Sequence, residues 1–130
     1  MKILVGYDGS NGAEAALRAA QKHANAFNAD IHILTSLEQS STLEKSDIEK
    51  AESELEYSRT PFNIDDIPCE THVVVNYLTP GEDLVQFAAD NRIDEIFIGI
   101  KKRSKVGKVV FGSTAQYVIL NAPCPVVAVK

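Results

Sequence analysis

The chain is poor in cysteine, in basic residues and in long apolar runs, and each shortage closes off a class of protein. Only two of its 130 residues are cysteine. Cys69 and Cys124 stand too far apart for a metal-ligand pair, and neither has a histidine at zinc-site spacing. Both read as reduced and structural, with Cys124, between Pro123 and Pro125, a small buried hydrophobe. Lys and Arg together number 13 against 18 Asp and Glu, for a formal charge of -5. That balance argues against a general nucleic-acid binder, because neutralising phosphates needs a basic face over much of the surface. No apolar run approaches the roughly 20 residues needed to cross a bilayer. MKILVGYDG turns polar too early for a signal peptide. A cytoplasmic protein without membrane contact is the expectation, and no internal repeat or low-complexity tract interrupts it.

What is present is ordinary globular material. Hydrophobic residues make up 45% and charged residues 24%, and a chain of this length can bury a core without disulfides or metals. A single α/β domain over residues 1–130 is expected. The apolar periodicity alternates between two templates. Ile3, Leu4 and Val5 form a continuous run typical of a strand covered on both faces. From Asn11 to Asn28, the residues Ala13, Ala16, Leu17, Ala20, Ala24 and Phe27 recur at three- and four-residue steps, the mark of one apolar helix face, with Ser10 or Asn11 as cap.

Ile31 to Leu37 reads as a second strand. Gln39 to Thr60 reads as a polar helix with Ile48, Ala51 and Leu55 inward, ended by Pro61. Thr71 to Val75 is a third strand, and Thr79 caps a helix with Pro80 at its first position and Glu82 and Asp83 in its first turn. Glu95 to Ile100 is the fourth strand, Ser113 to Asn121 a short helix, and Pro125 to Val129 a final strand. Strict alternation implies parallel pairing with right-handed crossovers, hence a doubly wound five-stranded parallel sheet of order 3-2-1-4-5. Ligands of such sheets sit beyond the carboxyl ends of the strands where the order reverses, between the first and fourth strands, which would bring Asp8 and the loop after Gly99 together.

That loop, GIKKRSKVGKVVFGST, carries five of the thirteen Lys and Arg residues. It is not a Walker A loop: Lys102 stands where the first glycine is required and Val109 where Ser or Thr is required. Gly6, Gly9 and Gly12 are spaced evenly by three and miss the dinucleotide fingerprint. FGST, however, opens a helix, where free backbone N–H groups and the positive end of the helix dipole favour phosphate at Gly112, Ser113 and Thr114. Ser113 with Gln116 could instead form a capping box that completes the helix start without a ligand.

ILVGYDGS, IFIGIKKRSKVGKVVFGSTAQYVI and NAPCPVVAVK together resemble the universal stress protein family, the UspA-like proteins, and the resemblance covers nearly the whole chain. ATP-binding members carry Gly, two residues, Gly, nine residues, then Gly with Ser or Thr. Here Gly99, Gly112 and Ser113 match, while Lys102 replaces the second glycine. A side chain there could fill space near ribose and phosphates, or pair with a phosphate as a point charge.

The resemblance implies ATP, with Mg2+ or Mn2+, as ligand. It implies Asp8 at the ribose or metal-phosphate end, and adenine against Thr35, Ser36 and the backbone of Ile98 and Gly99. It also implies a stress-response homodimer paired through the C-terminal strand, whose apolar edge would otherwise stay open. Asp8 could equally cap the Gly9–Ser10 turn. The alternative function is an interaction module that has lost nucleotide, for which Lys102 speaks. Enzymatic activity is left open, slow ATP hydrolysis at most, because no Ser-His-Asp set, activated cysteine or paired acid accompanies the loop. Lys101, Lys102, Arg103, Lys105 and Lys108 read as a solvated charge run. His23, His32 and His72 lie on separate elements with no carboxylate or cysteine at ligand spacing, which argues against a metal or catalytic role.

Overall fold

A computed structural model of the chain describes residues 1–100 and 111–130 in full and the backbone of 102–103 and 109–110. In chain order the elements are β1 (Lys2–Gly6), α1 (Asn11–Phe27), β2 (Asp30–Glu38), α2 (Lys45–Ser58), α3 (Thr60–Ile64), β3 (Cys69–Asn76), α4 (Pro80–Asp90), β4 (Glu95–Gly99), β5 (Lys102–Arg103), β6 (Val109–Val110), α5 (Ser113–Asn121) and β7 (Val126–Val129). Five strands form a parallel sheet of order β3-β2-β1-β4-β7. With β7 as the fifth long strand, this is the expected 3-2-1-4-5 winding. The short antiparallel pair β5–β6 lies outside that sheet and has no counterpart in the periodicity, since two-residue strands carry none.

Each face of the sheet has its own core. Ile3, Val5, Ile31, Ile33 and Phe97 pack with Ala16, Leu17 and Ala20 of α1 and with Leu55 and Phe62 of α2 and α3. Leu4, Leu34, Ile96 and Ile98 pack on the other face with Leu84 and Ala88 of α4 and Ala115 and Val118 of α5. Ile3, Leu4 and Val5 of β1 are all fully buried, which explains why the middle of the strand is continuously apolar rather than alternating.

Caps set the helix starts. Ser10 accepts from Ala13 N at 3.1 Å, and Thr79 and Glu82 form a capping box at α4. Three local expectations are corrected. Phe27, placed on the inward face of α1, is 61% exposed: it is the last residue of the helix and its ring lies against His23, centroids 5.8 Å apart, instead of in the core. The polar helix begins only at Lys45, and Pro61 does not end the helical stretch: it lies in the first turn of α3, where its missing N–H costs nothing. At α5 the cap is Gly112 rather than Ser113, with no side-chain hydrogen bond, so the capping box of Ser113 and Gln116 does not form. Gln116 N instead donates to Gly112 O at 3.0 Å.

Candidate functional site

β1 and β4 are neighbours that send their connections to opposite faces, and beyond their carboxyl ends lies a cleft of about 180 Å³. Asp8 reaches it from the end of β1, Ser36 from β2, Gly99 from β4, and Gly112 and Thr114 from the start of α5. Five residues predicted from separate parts of the chain thus line one cavity. Ser113 is the first residue of α5 but is not among the lining residues. The side chain of Lys102, with Lys101, Lys105 and Lys108, lies outside the described residues.

The walls follow from packing. The N-terminal ends of α1, α4 and α5 contribute Ala13, Pro80 and Thr114, so three helix starts face the same space. α1 and α4 begin with side-chain caps, whereas α5 begins without one. Among the described residues, the positive dipole end of α5 is thus the one without a side-chain cap at the cleft. Asp8 is exposed at the mouth, where its Oδ1 accepts from Ser10 N at 3.0 Å. The turn-capping role and the cleft position belong to the same side chain.

Two glycines shape the floor for steric reasons. A Cβ at Gly99 would stand 2.3 Å from the carbonyl carbon and oxygen of Gly12, and one at Gly6 would stand 2.9 Å from Leu84 Cδ1. Gly99 is therefore already required where α1 crosses β4, whatever else it contacts. Gly112 has φ of -68° and ψ of 165°, torsions open to any residue, so backbone strain does not demand glycine there.

Residues that sequence reasoning missed hold this site together. Asp83, buried on α4, accepts from the Ser36 hydroxyl and, at 2.8 Å, from Asn76 Nδ2. The hydroxyl expected to face an adenine is thus committed to a buried carboxylate, which itself lies in the favourable first turn of a helix. Thr35 is buried, donates to Tyr7 O at 2.8 Å and does not line the cleft. The Tyr7 hydroxyl donates to Glu14; burial first, and that bond to a carboxylate second, push its ionisation above the ordinary tyrosine range.

The family model of the universal stress protein family matches residues 1–130. The chain belongs to that family. A universal stress protein of Thermus aquaticus is 27% identical over 142 aligned positions that span 98% of this chain and 97% of the relative. Among solved structures, a universal stress protein from Archaeoglobus fulgidus superposes with a TM-score of 0.89 at 34% identity, covering all of this chain and 98% of that one. Another from the same organism, solved in complex with dAMP, gives 0.84 at 30% identity, again covering all of this chain and 98% of the other.

The histidines require a correction. His32 and His72 do lie on separate elements, β2 and β3, but a carboxylate is at hand: their Nδ1 and Nε2 atoms lie 3.1 Å apart and a Glu70 oxygen lies within 3.8 Å of both. Strand register, invisible to a scan for ligand spacing along the chain, pairs His32 with Glu70 and Leu34 with His72. Burial lowers the ionisation of both imidazoles. His23 lies on α1, with its ring edge-on to Phe97 on the other face of the sheet.

Proposed function

We propose that this universal stress protein binds an adenine nucleotide in the cleft, ATP with Mg2+ or Mn2+, and acts as a homodimer in stress regulation. The observation that carries the reading is the uncapped start of α5, with Gly112 as its cap residue, standing across the cleft from Asp8. Unpaired amides at a helix start favour phosphate, and the crevice where strand order reverses is where such folds take ligands. The dAMP complex of the relative from Archaeoglobus fulgidus supports the same ligand class.

In this reading the amides of Gly112, Ser113 and Thr114 hold phosphate, and Gly99 and Ser36 border the base. Asp8 meets the ribose or the metal-phosphate end. One exposed carboxylate at the mouth suits Mg2+ or Mn2+, which are commonly held by one or two carboxylates together with substrate phosphates. The ion would neutralise phosphate charge there. Lys102, in place of the motif's second glycine, either screens phosphate charge or occupies its space.

Calorimetric titration with ATP and Mg2+ tests the proposal. Valine tolerates the torsions of Gly112, so Gly112→Val should fold while filling the phosphate approach, and it should weaken binding at least about tenfold. No heat from the wild type, with binding gained by Lys102→Gly, would favour instead an interaction module that has lost nucleotide. Phosphate release above background would add slow hydrolysis to the binding role.

The dimer rests on β7, which among the described residues pairs with β4 along one side only and whose Val126, Val127 and Val129 are half-buried. An apolar edge of this kind tends to recruit a second strand. Light scattering at micromolar concentration should give twice the chain mass, and a monomer alone would refute the pairing.

A further inference from the structure

The parallel register of β2 and β3 gathers two imidazoles and one carboxylate on the α4 face, at the sheet margin remote from β7. Glu70 and His72 are two residues apart on β3 and so project from the same face, and His32 joins them from β2. Phe87 of α4 packs on both rings, its centroid 5.8 Å from that of His32 and 4.7 Å from that of His72. The imidazoles are therefore held in place rather than free in solvent. The neighbouring Cys69 belongs to the core on the opposite face and takes no part.

Three single atoms define the geometry. His32 Nδ1 is 3.1 Å from His72 Nε2 and 3.5 Å from Glu70 Oε2, and His72 Nε2 is 3.8 Å from the same oxygen. The nearest point equidistant from the three atoms, in their common plane, lies about 2.0 Å from each, and a point slightly outside that plane keeps within the bond lengths zinc makes to imidazole nitrogen and carboxylate oxygen. The exposures grade outward: the His32 side chain is 13% exposed, His72 29% and Glu70 71%. An ion there would have its protein ligands on the inner side and water on the outer side.

We propose that His32, Glu70 and His72 form a binding site for a divalent transition metal, with Zn2+ the best-matched ion and water completing its coordination. Two nitrogens and one oxygen suit zinc, copper, nickel or cobalt, whereas Mg2+ prefers an all-oxygen shell. Two histidines and a glutamate with an open position are a ligand set that zinc accepts. The competing account is a simple hydrogen bond between two neutral imidazoles, for which 3.1 Å is also suitable. The site is separate from the cleft and does not depend on nucleotide binding.

The test is titration of the full chain with Zn2+ in the absence of nucleotide, by calorimetry, alongside Co2+ titration followed by visible absorption. One ion per chain should bind with micromolar affinity, and Co2+ should give the intense bands of a four-coordinate site. Glu70→Gln, at an exposed position that cannot compromise the core, should weaken Zn2+ binding by about tenfold or more, and His72→Gln should do the same. Mg2+ at equal concentration should give no saturable heat. Absence of saturable Zn2+ binding, equal affinity in both variants and wild type, or Mg2+ binding as tight as Zn2+ would each overturn the proposal in favour of the hydrogen-bonded pair.

Discussion

Replacing Gly99 by alanine should destabilise the protein even with no ligand present. The added Cβ would lie 2.3 Å from Gly12 C and O and 2.7 Å from its Cα, whereas ordinary contact begins at 3.4 Å. Relief requires α1 and β4 to part by about 1.1 Å, and every atom in the way is backbone, so no side chain can rotate aside. Overpacking of a close-packed interior typically costs 1–3 kcal/mol, and a backbone collision between a central strand and the helix across it belongs at about 3 kcal/mol. That is roughly a hundredfold in the ratio of folded to unfolded chains.

Urea denaturation followed by far-ultraviolet circular dichroism should show the midpoint falling by about 1–2 M at an unchanged slope. Gly12→Ala is the control. Its Cβ meets Ile100 O at 3.0 Å, a contact that yields with a shift of a few tenths of an ångström. Gly12 is only the second residue of α1, where alanine gains less than the roughly 1 kcal/mol of a helix interior, so this variant should lose about 1 kcal/mol or less, well short of Gly99→Ala. A Gly99→Ala midpoint equal to that of Gly12→Ala would refute the seam argument and return Gly99 to a purely ligand-facing role.

Asp83→Ala should cost about 2–3 kcal/mol in the same titration, because it strands the Ser36 hydroxyl and the Asn76 amide beside a buried cavity; an unchanged midpoint would show that water replaces the carboxylate freely. The Tyr7 phenol titrates above the ordinary value of 10.0 in the folded protein. Its neutral form is thereby favoured by folding, so its contribution to stability is complete below pH 10 and is lost as the pH climbs beyond it. Absorbance titration at about 295 nm should show an ionisation above pH 10 that disappears in Tyr7→Phe, and a high-pH profile unaltered by that substitution would contradict the burial argument.

Strand order was legible because strands covered on both faces are continuously apolar and helices between them keep a 3.6-residue stripe. Topology implies that Asp8 and the loop after Gly99 meet at the switch point, and Asp8, Gly99 and Gly112 line one cleft. What escaped reading depended on atoms meeting across the fold. Nothing around Gly99 announces that Gly12 will press against it, and Ser36 looks free until Asp83 is found buried beside it. The helix begins at Ser113 as expected, but its cap is Gly112 rather than Ser113, a distinction that turned on a single residue's torsions. His32 and His72 looked unrelated because forty residues of chain separate partners that lie within hydrogen-bond distance across two strands.

The sheet order has a consequence for how the molecule is assembled during synthesis. β3, β2 and β1 can pair as soon as Asn76 has emerged, but the second side of β1 stays open until Glu95 to Phe97 arrives to occupy it. The cleft is cut along that same joint, with Asp8 and Ser36 on the early half and Gly99 and Gly112 on the late one. A guest seated there would touch both halves at once, so its binding would count toward the joining of the β1–β4 seam as well as toward its own retention.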